Sequence, residues 1–178
     1  MSRFKIIVKQ SEVLPEVKTF QADAFSDERG TIWTIWEKEN ILPDHLQFNL
    51  AKFTRSTKGV LRGLHGCFGT WKYMSVPHGK VKFVVADVRK ESPNFLKWDT
   101  FTLSSENHMG VLVPPGFVNG HLCLSDDCLY HYMMSYGGDY IEPHEQVVIK
   151  WNDARLNIVQ LFPKEIRLVT YEQTCSEI

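Results

Sequence analysis

The chain is 178 residues long, about the size of one domain. With 43% hydrophobic and 12% aromatic residues it has material for a sizeable core, which excludes a disordered or low-complexity chain. Twenty basic against twenty-one acidic residues leave a formal charge of −1. That balance excludes a general attraction to nucleic acid or anionic membrane, while leaving room for a local basic cluster that binds phosphate.

Taken in chain order, the N-terminal apolar run Ile6-Ile7-Val8 is too short to read as a signal peptide. No later stretch approaches the roughly 18 apolar residues of a membrane span. β-branched and aromatic residues, most in partial alternation, predict strands over Thr31–Trp36, Leu46–Thr54, Val81–Val88, Met109–Val113 and Val147–Trp151. Turn signals punctuate them at Asp27-Glu28-Arg29-Gly30, Pro77-His78-Gly79, Ser92-Pro93-Asn94, Pro114-Pro115-Gly116 and Gly137-Gly138-Asp139. Helix signals are confined to a short turn near Lys38–Leu42 and a C-terminal piece around Lys164–Gln173. Many short strands with regular turns predict an all-β sandwich or barrel, in one domain spanning 1–178, with short helical pieces near the C-terminus. The four cysteines, Cys67, Cys123, Cys128 and Cys175, form no CxxC pair and read as free thiols of a cytoplasmic protein. Cys123 and Cys128 flank a polar turn and are expected to be small core residues.

Three clusters concentrate the residues able to do chemistry. In Arg55-Ser-Thr-Lys-Gly-Val-Leu-Arg-Gly-Leu-His65, Arg62 and His65 stand three apart, so on a regular strand they point to opposite faces. They converge only if Gly63 carries a bulge or bend; the plain alternative is a surface arginine and a core histidine. In Val113-Pro-Pro-Gly-Phe-Val-Asn-Gly-His121, a rigid turn leads into a strand with Asn119 and His121 on one face. In Tyr130-His131-Tyr132 the two tyrosines share a strand face, where they serve as proton donors, line a sugar pocket or form an aromatic core stripe, the last favoured for Tyr130 and Tyr136. The histidines form no His-x-His pair with a third ligand, so no metal site is expected. Dinucleotide, P-loop and nucleophile-elbow motifs are absent from the sequence.

In this order the clusters resemble the dTDP-4-dehydrorhamnose 3,5-epimerase family of sugar-nucleotide epimerases. The matching pieces are Phe25-x-Asp27-x-Arg29-Gly30, Ser56-x-x-Gly59-Val60-Leu61-Arg62-Gly63-Leu64-His65, Lys72, and Asp87-Val-Arg89 with Ser92-Pro93-x-Phe95. Pro114-Pro115-Gly116-Phe117-x-x-Gly120, Asp126-Asp127 with Tyr132, Pro143-x-Glu145 and Trp151-x-Asp153 complete the set. The resemblance implies a cupin-type jelly-roll barrel and a cofactor-independent isomerase. It implies His65 as general base, Tyr132 as opposing acid, Lys72 as the enolate-stabilising lysine, and Arg62 and Glu145 as substrate-binding residues. Arg29 sits where the family reaches into the neighbouring subunit's site, which implies a homodimer with a strand crossing between subunits.

The implied chemistry is self-consistent. A ketone at carbon 4 acidifies the hydrogens on carbons 3 and 5, a near-neutral histidine removes one, a lysine steadies the enolate oxygen, and a tyrosine returns a proton on the other face. Arg29, Arg62, Lys72 and Lys52 supply positive charge for a pyrophosphate. The departures are specific as well. Asn119 stands at a family histidine, Lys52 at an asparagine facing the substrate, Thr34 at a glutamate, and Gln173 at the aspartate that orients the base, and two residues are inserted around Gly137-Gly138. They point to a variant acting on another nucleotide-linked 4-keto-6-deoxy sugar or heptose, with a GDP-4-keto-6-deoxy-heptose of bacterial capsule or lipopolysaccharide synthesis as one candidate. Inversion at carbon 3 alone or at carbons 3 and 5 stays open. So do two alternatives: a 3,4-ketoisomerase of keto sugar nucleotides, and a catalytically silent sugar-nucleotide-binding protein.

Overall fold

In a computed structural model of the chain, the described residues are 5–37, 43, 47–137, 146–163 and 167–168. Among them fourteen strands run in order: β1 (Ile6–Gln10), β2 (Lys18–Ala22), β3 (Ala24–Asp27), β4 (Gly30–Trp33), β5 (Leu50–Thr57), β6 (Val60–Cys67), β7 (Thr70–His78), β8 (Lys80–Asp87), β9 (Trp98–Ser104), β10 (Met109–Val113), β11 (Phe117–Cys123), β12 (Asp127–Tyr136), β13 (Val147–Val148) and β14 (Arg167–Leu168). One 3-10 turn, Val159–Leu161, is the helical element among the described residues.

The strands form two large sheets, ordered β1-β2-β10-β7-β12-β5 and β13-β6-β11-β8-β9, with β14 added to β6; β3 and β4 make a separate hairpin. The two sheets close on one another as a jelly-roll barrel of the cupin type, the all-β architecture expected. Between them lies an apolar core that includes Met74, Val76, Phe83, Val85, Val111, Phe117, Cys123, Cys128 and Tyr130. A second cluster, with Leu61, Leu64, Val84, Val118, Leu122 and Ile158, covers the outer face of the β6-β11-β8 sheet, and Phe20, Tyr73 and Leu112 pack on the outer face of the β2-β10-β7 sheet. Because neighbouring side chains on a strand alternate faces, β8 and β11 feed both clusters, β8 through the apolar run Phe83-Val84-Val85-Ala86 and β11 through its ends, Phe117-Val118 and Leu122-Cys123.

The described cysteines, Cys67, Cys123 and Cys128, are unbridged and buried, as small core residues are. Asp87, fully buried, accepts hydrogen bonds from the backbone N–H and guanidinium of Arg89 and from the Ser92 hydroxyl. Burial works to raise the Asp87 pKa, yet those hydrogen bonds and the Arg89 charge outweigh it and hold the carboxyl below its usual value. The guanidinium of Arg89 also lies 4.5 Å from the centre of the Phe117 ring. The Asp87-Val-Arg89…Ser92 motif therefore braces the barrel rim beside the Pro114-Pro115-Gly116 turn.

Met109–Val113 is a strand with the expected limits, and Val81–Val88 agrees to within a residue at each end. Thr31–Trp36 is extended only through Trp33, and Leu46–Thr54 becomes Leu50–Thr57. Val147–Trp151 shrinks to two residues because Asp153 and Arg155 close a turn just beyond it. The C-terminal helical expectation is corrected at Arg167–Leu168, which pairs in parallel with Val60 and Leu61 and supplies partners to the backbone of β6. Lys38–Leu42 and the rest of Lys164–Gln173 lie outside the described residues. Among the described residues no helix is long and apolar enough to cross a membrane.

Candidate active site

Arg62 and His65 are brought to one face by an irregularity in β6. On β11, Asn119 pairs with His65 and His121 with Arg62, so one residue of β11 (Gly120) opposes two of β6, Gly63 and Leu64. Directly paired residues in an antiparallel ladder share a face, so the bulge turns both side chains inward. Gly63 has φ +112°, and a Cβ there would stand 2.6 Å from the Cα of Gly120 and 2.7 Å from the carbonyl oxygen of Asn119. Only glycine permits that conformation and that approach.

β5 supplies the facing wall with its amphipathicity inverted. Lys52, Thr54 and Ser56 are more buried than Ala51, Phe53 and Arg55, and Phe53 is 60% exposed on the outside. A strand that turns lysine, threonine and serine inward and phenylalanine outward marks a polar barrel interior. Arg62 Nε donates to the Ser56 hydroxyl (2.9 Å), tying the two sheets together along this edge.

β12 pairs Tyr132 with Lys52 and Tyr130 with Thr54, and Tyr132 packs on the inner core. Lys72 enters from β7, 7% exposed, on the same face as Met74 and Val76. His65, Asn119, Tyr132 and Lys52 thus form one layer of the barrel interior. Arg62, His121, Tyr130 and Thr54 form the next, nearer the β11–β12 connection, where the rings of His121 and Tyr130 stack at 3.9 Å.

Electrostatics in this interior favour anions. Burial, then the charges of Lys72 and Arg62, push the His65 pKa down to about 3, below the near-neutral value expected from the sequence, so its imidazole is neutral near pH 7. The His121 pKa is likewise pushed down to about 3, by burial and then by Arg62 and His65. Burial also lowers the Lys72 pKa and raises that of Tyr130, where Tyr132 and Cys128 add to the effect.

The structure brings together His65, Tyr132, Lys72, Lys52, Arg62 and Asn119 in the barrel. It does not bring Arg29 there: Arg29 is at the tip of the β3–β4 hairpin, 82% exposed and paired with Asp27 at 2.5 Å. Glu145 and Gln173 lie outside the described residues. His121 is the member that the motif pattern leaves out; its signal was the two-residue spacing from Asn119. Among the described residues no group of three or more His, Cys, Asp or Glu side chains is arranged to hold a metal ion.

A jelly roll with a histidine, lysine and tyrosine converging in its interior has the architecture of a cupin sugar-nucleotide epimerase, an isomerase. The family model described as dTDP-4-dehydrorhamnose 3,5-epimerase matches residues 11–176. The chain is 32% identical over 173 residues to the dTDP-4-dehydrorhamnose 3,5-epimerase of Escherichia coli K12, covering 90% of this chain and 92% of that one. The dTDP-6-deoxy-D-glucose-3,5-epimerase RmlC of Legionella pneumophila, solved in complex with dTDP-4-keto-L-rhamnose, superposes with a TM-score of 0.81 at 30% identity, over 93% of this chain and 88% of that one. ChmJ, a 3'-monoepimerase from Streptomyces bikiniensis, shares the fold with a TM-score of 0.80 at 22% identity, over 93% of this chain and 84% of that one. The chain belongs to the dTDP-4-dehydrorhamnose 3,5-epimerase family.

Proposed function

We propose that the chain inverts carbon 3, or carbons 3 and 5, of a nucleotide-linked 4-keto-6-deoxy sugar in the synthesis of a bacterial surface polysaccharide. The observation that carries this reading is the projection of His65 and Tyr132 from facing sheets into one layer of the barrel, with Lys72 beside the base.

An unprotonated nitrogen of His65 takes the hydrogen from the carbon next to the ketone. The C–H electron pair moves into an enolate, whose oxygen is stabilised by an N–H of Lys72. Tyr132 then delivers its phenolic proton to that carbon from the opposite face, which inverts the centre. Protonated His65 and the Tyr132 phenolate exchange protons with solvent before the next turnover. A positioned acid or base of this kind is worth about 10²–10⁴-fold in rate, and an enolate donor about 3–4 kcal/mol. Arg62, Lys52 and Asn119 line the same interior and bind the sugar and pyrophosphate, with Glu145 completing the contacts.

The Legionella relative holds a dTDP-linked keto sugar, which supports a sugar nucleotide as substrate. Lys52 and Asn119, where the family pattern has other residues, support a sugar other than the rhamnose precursor, and a GDP-4-keto-6-deoxy-heptose is the candidate we favour. ChmJ inverts one centre on the same fold, so architecture alone does not choose between one inversion and two. The protein acts as a homodimer: the β3–β4 hairpin exposes Phe25 (52%) and Ile32 (58%) and carries Arg29 outward, a surface suited to a second subunit.

The test is incubation in heavy water with dTDP- and GDP-linked 4-keto-6-deoxy hexoses and heptoses, read by NMR. Deuterium at carbon 3, or at carbons 3 and 5, with inverted configuration is expected for one of them. Exchange with migration of the ketone identifies a 3,4-ketoisomerase instead. Binding of a sugar nucleotide with no exchange identifies a silent binder. Either result overturns the proposal.

A further inference from the structure

The layer below His65 and Tyr132 holds polar atoms that the reaction just described does not use. His121 and Tyr130 are each 4% exposed, and their rings stack nearly parallel, 16° apart. Their outer atoms, His121 Nε2 and Tyr130 OH, are buried without a hydrogen-bond partner in the chain. Thr54 Oγ1, beside Tyr130 across the β5–β12 ladder, is in the same condition. One layer up, Asn119 Oδ1, on the same face of β11 and given to substrate binding above, is unpartnered as well.

A buried polar atom left unpaired costs about 1–3 kcal/mol, and phenylalanine and valine would fill the same volumes without that cost. An aromatic stack needed only for packing has no use for an imidazole and a phenol. The groups are also neutral or weakly basic: burial and the nearby Arg62 keep His121 uncharged, and Tyr130 holds its proton. Unpartnered neutral donors and acceptors gathered in one layer of the interior match a hydroxyl, which donates one hydrogen bond and accepts two. They do not match a phosphate, which calls for cations. Arg62, the cation of this layer, is tied to Ser56 at the sheet edge.

We propose that Thr54, His121 and Tyr130 form a subsite for one hydroxyl of the sugar, a layer below the reacting carbon, and that this subsite selects the sugar. The proposal rests on the epimerase reading. A site built to hydrogen-bond a hydroxyl rejects the analogue that lacks it far more strongly than an apolar pocket distinguishes a methylene.

The experiment compares kcat/KM for the full-length wild type, His121→Phe and Tyr130→Phe. The substrates are the 4-keto sugar nucleotide that the wild type turns over, together with analogues each lacking one hydroxyl, including a hexose–heptose pair in which a methyl replaces a hydroxyethyl chain at carbon 5. On the parent sugar each variant is expected to lose about ten- to a hundredfold. On one analogue, itself a poor substrate of the wild type, the loss is expected to vanish, and that analogue identifies the hydroxyl. A loss of the same size on every analogue, or no loss on any, overturns the subsite and leaves the layer to packing or water. Tyr130→Phe removes a single oxygen, so it carries the test even if His121→Phe fails to fold, as a thermal melt shows. A wild type that exchanges deuterium into no 4-keto sugar nucleotide overturns the epimerase reading and the subsite with it. That outcome is separate, because it is scored before any variant is made.

Discussion

At His65 and His121, burial and neighbouring positive charge act in one direction: both hold the imidazole neutral. If His65 is the base, as proposed, it stays unprotonated near pH 7, and the acid limb of the kcat/KM profile should lie well below the ordinary histidine value of 6.5. For stability the sign follows from linkage. Between pH 6.5 and about 3 the unfolded chain binds a proton at His121 that the folded chain refuses. The stability from neutral burial is therefore complete above pH 6.5 and is lost as the pH falls, with a slope of about 1.4 kcal/mol per pH unit from one such group. Denaturant midpoints between pH 6 and pH 4 should fall less steeply for His121→Phe than for the wild type, and equal slopes would contradict the neutral assignment. Tyr132 offers a different measurement. Tyr132→Phe removes the proposed proton donor but leaves the proposed base, so inverted product should fall by about 10²–10⁴-fold while hydrogen exchange from the unconverted substrate persists. Loss of both together would mean that Tyr132 does not act as the acid.

Among the elements, the β6–β11 pair decides whether a site exists. A regular β6 would turn either Arg62 or His65 away from the barrel; the bulge at Gly63 aims both inward. Gly63→Ala places a Cβ 2.6 Å from the backbone of Gly120 at a positive φ, so it should destabilise the fold by about 2–4 kcal/mol. It should also abolish turnover in whatever fraction stays folded. A variant as stable and active as wild type would refute the role given to the bulge. This feature was legible in the residues, because a spacing of three with a central glycine leaves few ways to make two polar side chains converge. The strand character of Met109–Val113 and Val81–Val88 was legible too, since apolar runs bounded by turn residues allow little else. Strand ends were less so: Trp36 and Trp151 extend an apolar pattern past the point where backbone partners stop. β14 could not be read locally, because its strand state comes from the edge of β6 more than 100 residues earlier in the chain. His121 shares a face with Asn119 in the sequence, but its weight comes from Arg62, His65 and Tyr130, which the fold alone brings beside it.

Over the whole molecule, the near-zero net charge hides an uneven distribution. Lys52, Arg62 and Lys72 face one interior, while Asp27, Asp126, Asp127 and Asp153 pair with basic residues at the surface. Balanced composition and a local anion site are compatible for that reason. Arg29 extends the argument to a second subunit. If it serves the partner's site, a mixture of inactive Arg29→Ala and His65→Ala subunits, dissociated and reassembled, should regain about a quarter of wild-type activity, since half the dimers are mixed and each has one intact site. No recovery would place Arg29 outside the partner's site. The central claim is that His65 removes a carbon-bound hydrogen next to the ketone of a sugar nucleotide. The most direct measurement is deuterium incorporation from heavy water at carbon 3 of a 4-keto-6-deoxy sugar nucleotide, compared between wild type and His65→Ala. The prediction is full incorporation with inversion in the wild type and none above background in His65→Ala; undiminished exchange in the variant would contradict it.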